Sequence, residues 1–189
     1  MGFFKRLFGR SWEADIEEAI FQDACEAFAR FSAAHGQDHI TGFAACTVDD
    51  ASPPYYMGAT LESGFGPVGS LTDPGPESYG WNADPADWCW SDGTHPYRMD
   101  EVKYPPFGEG IKGNKKVIDA MCRGLKKFAD SGKFKGKLLR EQMVLMLWIN
   151  DPSYPSWAVE YAAKLNPKPV AEWFKVANTY AGNEDVEEG

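Results

Sequence analysis

The amino-acid sequence predicts a single α+β domain, and three observations carry that prediction. Residues 143–149 are seven apolar residues in a row, too short to cross a bilayer and, with β-branched Val144 and Ile149, suited to a strand buried on both faces. Two stretches, 12–35 and 114–131, repeat apolar residues every three or four positions, as helices with one buried stripe do. The length of 189 residues suits one domain able to bury roughly 70% of its unfolded surface without disulfide or metal. The expected architecture is a central mixed or antiparallel β-sheet flanked by the two long helices and a C-terminal helical pair, with 143–149 as its central strand. The domain is expected over residues 11–178, between a basic and aromatic segment at 1–10 and an acidic tail at 179–189.

Taken in order, Ser11 is placed to cap a helix over 12–35, where Ile16, Ile20, Ala24, Ala27, Phe28 and Phe31 recur on one face and Gly36 ends the run. Its acids Glu13, Asp15, Glu17, Glu18, Asp23 and Glu26 all precede Arg30, which favours the helix dipole and leaves an acidic outer face. A strand is expected over 39–48, a turn over 49–54, and a second strand over 55–61, the two forming a hairpin whose loop is too long for a two-residue turn. From 62 to 101 the chain is rich in Gly, Pro, Ser, Asp and aromatics. Tyr79, Trp81, Trp88, Trp90 and Tyr97 give this stretch apolar area to bury, so it reads as irregular structure packed on the sheet edge, with a short helix after Asp84-Pro85. The helix at 114–131 ends at Gly132 and leads into the apolar strand, which stops at Asn150-Asp151-Pro152. Two short helices follow, over 157–165 and 170–177, separated by Asn166-Pro167.

Composition narrows the function classes. The net charge is −9, but residues 102–140 hold eleven Lys or Arg against three acids, so the remainder sums to −17. Such a chain is acidic with one basic segment, a balance that disfavours nucleic acid and suits a basic protein partner, although a solvated acidic surface with no partner is the commoner origin of such an excess. The lysines of 112–137 are read as a solvated helix face, or as a surface paired with the acidic first helix, ahead of a phosphate-tracking face. Residues 1–10 lack the long apolar core of a signal peptide, and Arg6 stands where a myristoylation motif needs Ser or Thr. Phe3, Phe4, Leu7 and Phe8 beside Lys5, Arg6 and Arg10 offer a short membrane-surface contact, but docking on the domain suits so brief a segment at least as well.

Chemical motifs are few. Cys25, Cys46, Cys89 and Cys122 lie far apart with no C-x-x-C pair, so they read as buried thiols in a reducing cytoplasm rather than as zinc ligands or a redox pair. Residues 64–69 match G-x-G-x-x-G, but Pro67 lies inside the match and no helix follows it to receive a pyrophosphate. His35 and His39 are split by Gly36, and His95 stands alone, so no metal is expected and no cofactor is implied. No G-x-S-x-G elbow is present. The richest constellation is Trp81, Asp84, Asp87, Trp88 and Trp90. It reads either as an aromatic loop pinned to the sheet or as a carbohydrate platform with a carboxylate pair for acid and base work.

Several stretches carry a family resemblance: Ile40-Thr-Gly-Phe-Ala-Ala-Cys-Thr-Val-Asp-Asp50, Tyr79-Gly-Trp-Asn-Ala-Asp-Pro-Ala-Asp-Trp88, the helix before Phe134, Val144 to Asp151, and Ala162-Ala-Lys-Leu-Asn-Pro167. In these the chain resembles a bacterial family termed domain of unknown function 4303, over most of residues 15–177. The resemblance brings no reaction and no catalytic residue. By analogy, small acidic domains of this kind look like immunity proteins of bacterial toxin systems. The expectation is therefore a cytoplasmic protein-binding module that inhibits a basic toxin domain, with Trp81, Asp84, Asp87, Trp88 and Trp90 at the partner surface and no catalytic residues. A small enzyme or carbohydrate-binding module using 79–101 is the alternative.

Overall fold

The protein is described here by a computed structural model covering residues 11–36, 40–48, 51–61, 90–91, 95–103, 114–133, 143–150 and 155–181. Helix α1 (Trp12–His35) begins where the Ser11 hydroxyl accepts from the Ala14 N–H at 3.4 Å, so one of the amides a helix start leaves without an internal partner is satisfied. It ends at Gly36, whose φ of 75° is costly for any residue with a Cβ. The predicted stripe is buried throughout, and it includes one polar member, Asp23. That is a correction: Asp23 lies among the buried residues of α1, not on its acidic outer face.

Strands β1 (Ile40–Val48) and β2 (Ser52–Leu61) pair antiparallel, and the pair Val48 with Ser52 leaves only residues 49–51 between them. The connection is thus shorter than the expected turn over 49–54. Ala51 has a left-handed φ of 61°, and the register of the pair shifts between Thr47 and Val48, a local irregularity of the bulge type. Pro53 and Pro54 join the strand because their fixed φ is compatible with extended chain. A two-residue strand β3 (Trp90–Ser91) adds to β2, and β4 (Val144–Asn150) runs parallel to β1.

The sheet is therefore mixed, with order β3-β2-β1-β4. Here the sequence expectation is corrected, because β1 lies inside the sheet and the apolar β4 stands at its end among the described strands. The uniform oiliness of β4 has another cause. The strand packs against α3 (Pro155–Leu165), and Val144, Leu145, Met146 and Leu147 are all buried. Asn166, just past α3, completes the outer edge of β4. Its Oδ1 accepts from the Leu145 N–H at 2.8 Å and its Nδ2 donates to the Leu145 carbonyl at 2.9 Å, the two bonds that a neighbouring strand would have made. A third bond, Nδ2 to the Ala162 carbonyl at 2.9 Å, ties the same amide to α3.

Helix α2 (Lys115–Asp130) supplies the crossover that a parallel pair requires and packs against α1 on the Phe43 face of the sheet. Phe28 of α1, Phe43 of β1 and Phe128 of α2 meet with ring centroids 5.4 to 5.5 Å apart. The two helices approach closely enough at Gly124 that a Cβ there would stand 2.6 Å from the Glu17 carbonyl oxygen and 2.8 Å from Ile20 Cβ. Helix α4 (Lys168–Ala181) follows the Asn166-Pro167 break and packs back on α3, with Val170 and Phe174 buried. No described helix is long and apolar enough to cross a membrane.

Candidate functional site

Trp81, Asp84, Asp87 and Trp88, together with the expected helix after Asp84-Pro85, lie outside the described residues. Trp90 contributes backbone to β3, where it pairs with Ala59 of β2. The end of the same aromatic stretch is described, and it forms a junction between sheet and helix. A short 3-10 turn (Arg98–Glu101) follows Tyr97, which is 2% exposed. The Tyr97 hydroxyl accepts from the Met57 N–H at 3.2 Å, and the Asp100 carboxylate accepts from the N–H groups of Tyr55 and Tyr97 at 3.4 Å. These side chains satisfy two amides of β2.

The turn is fastened to α1 by charge. Asp23, 2% exposed, accepts from Arg98 Nη1 at 2.9 Å and from the Met99 N–H at 3.1 Å, while the two Glu26 oxygens accept from Arg98 Nη2 and Nη1 at 2.5 and 3.0 Å. Burial pushes the Asp23 carboxyl above its ordinary range despite the bonds from Arg98 and Met99. The Arg98 hydrogen bond holds Glu26 below its own. Both carboxylates are thus engaged in holding the turn in place, a structural duty.

A second cluster joins α2 to α3. Asp119 accepts from the Tyr161 hydroxyl at 2.8 Å and from Lys115 Nζ at 3.0 Å, with Lys164 Nζ 4.0 Å away. Lys164 Nζ also lies 4.4 Å from the Tyr161 ring centroid, and Lys115 Nζ 5.6 Å from that of Trp157. Partial burial works to raise the Asp119 carboxyl, but the Tyr161 hydroxyl and the two lysines outweigh it and hold the group below its ordinary value. An open groove of about 230 Å³ runs beside this cluster, lined by Asp119, Cys122, Arg123, Lys126 and Lys164. Its thiol is not a nucleophile at neutral pH, because burial raises Cys122 to about 11. Its carboxylate, held ionised, is a weak base. Among the described residues no group of His, Cys, Asp and Glu is placed to hold a metal ion.

Four of the five cations of α2 are paired with carboxylates within the fold. Arg123 bonds Glu17 at 2.9 Å and Lys127 bonds Glu18 at 2.6 Å, both across to α1, while Lys115 and Lys126 bond Asp119 and Asp130 one turn along α2. A phosphate backbone laid on this face would have to displace carboxylates already in place. Of the readings open from sequence, Arg123 and Lys127 take the pairing with the acidic first helix, while Lys115 and Lys126 pair within α2 on its exposed face. Cys46 and Cys122 are buried thiols as expected, Cys25 is half-buried, and Cys89 lies outside the described residues.

The buried carboxylate of Asp23 and the amide of Asn166 were not singled out from sequence. A signal existed for the first, since Asp23 shares the helical stripe of Ile16, Ile20 and Ala27. For Asn166 there was none, because Asn-Pro reads equally well as a plain helix break. Comparison with known proteins gives no matching family model, no matching curated protein and no matching solved structure, so the resemblance to the domain of unknown function 4303 family rests on the stretches quoted above.

Proposed function

We propose that the chain is a cytoplasmic protein-binding module, an immunity-type inhibitor that neutralises a bacterial toxin domain by occluding its active site. The observation that carries this reading is where the charge goes. Lys115, Arg123, Lys126 and Lys127 all end on carboxylates of α1 or α2, so these four cations are matched within the fold while the whole chain stays at −9. The excess is acidic. An acidic excess steers a basic domain into contact and raises its association rate, while desolvated aromatic anchors supply most of the affinity. Trp81, Trp88 and Trp90, flanked by Asp84 and Asp87, are the anchors we assign to that contact.

The alternative, an enzyme or carbohydrate-binding module built on residues 79–101, loses ground at the end of that stretch. Tyr97, Arg98 and Asp100 are already engaged with β2 and α1, which leaves them poorly suited to line a sugar site. The experiment is affinity capture from the source organism with tagged protein at low and at high salt, with mass spectrometry of what is retained. Recovery of one basic toxin fragment, weakened by salt and lost in the Asp87→Ala, Trp88→Ala double variant, supports the inhibitor reading. If no protein is retained at either salt, or retention is unchanged in the variant, the reading is wrong and glycans and small metabolites become the ligands to screen.

A further inference from the structure

We draw no further inference here: the strongest candidate, the open groove between α2 and α3 lined by Asp119, Cys122, Arg123, Lys126 and Lys164, has its cations already bonded to Glu17, Asp130 and Glu160 and its thiol held protonated by burial, so nothing in the structure shows what would fill it.

Discussion

Gly124→Ala is the substitution that probes the α1–α2 packing most sharply. Two effects of opposite sign meet at this position. Alanine favours a helix interior over glycine by about 1 kcal/mol, so on propensity alone the variant gains stability. The added methyl would stand 2.6 Å from the Glu17 carbonyl oxygen, where a carbon and an oxygen ordinarily approach to about 3.3 Å, so the helices must part by roughly 0.7 Å. A gap of that size forfeits about a quarter to a half of each dispersion contact across it, and it falls beside the Phe28, Phe43 and Phe128 cluster. Overpacking of this kind costs about 3 kcal/mol at the upper end of its range, which leaves a net loss of about 2 kcal/mol and a fall in Tm of about 4–8 °C for a chain of this length. Thermal unfolding followed by circular dichroism measures it. A Tm that rises by a few degrees, as propensity alone dictates, would refute the close approach of the two helices.

Other predictions rest on single side chains. Asn166→Ala leaves the N–H and carbonyl of buried Leu145 without the partners that now close the β4 edge, at a cost of about 3 kcal/mol in denaturant unfolding; an unchanged midpoint would show that the edge is satisfied otherwise. The carboxyl of Asp119 is lowered in the fold from 3.8, so its contribution is fully present above that value and is lost below it, as pH falls through the lowered value of the folded chain. The stability difference between the wild type and Asp119→Asn should therefore be constant near neutrality and shrink below about pH 4, whereas a difference that grows on acidification contradicts the assignment. Cys122, 5% exposed and raised to about 11, should resist iodoacetamide at neutral pH in the native protein and react once the chain is unfolded. Rapid native labelling at that residue, read by peptide mass, would contradict its burial.

The helices were legible in the sequence because their ends are marked by local chemistry. Ser11 and Gly36 bracket α1, Gly132 follows α2 and Asn166-Pro167 follows α3, so periodicity and caps agree with the structure to within a residue or two there, whereas α4, expected over 170–177, runs on to Ala181 into the stretch read as an acidic tail. Strands β1, β2 and β4 were legible as strands, but β3, inside a stretch read as irregular, was not, and neither was the order. An apolar run reports that both faces and the edge of β4 avoid water, and it does not say whether a strand or one well-placed amide provides the edge. The hairpin was misjudged for a similar reason, since Pro53 and Pro54 are turn residues by composition and extended residues by φ. Asp23 was placed on the wrong side of α1 because charge suggests exposure. Its partners, Arg98 and the Met99 amide, lie more than seventy residues away, and no local pattern announces them. Function was less legible still, because a surface that recognises a protein carries no fixed spacing of residue types, unlike a metal site or a catalytic triad.

The inhibitor reading is tested most directly by growth rescue. The polypeptide captured by this chain would be expressed in a bacterial host alone, with the wild-type chain, and with the Asp87→Ala, Trp88→Ala variant, after checking that the variant unfolds at the wild-type temperature. The account predicts growth arrest by the captured polypeptide alone, recovery with the wild-type chain, and arrest again with the variant. A captured polypeptide that is harmless, or one whose toxicity the wild-type chain does not relieve, would contradict it.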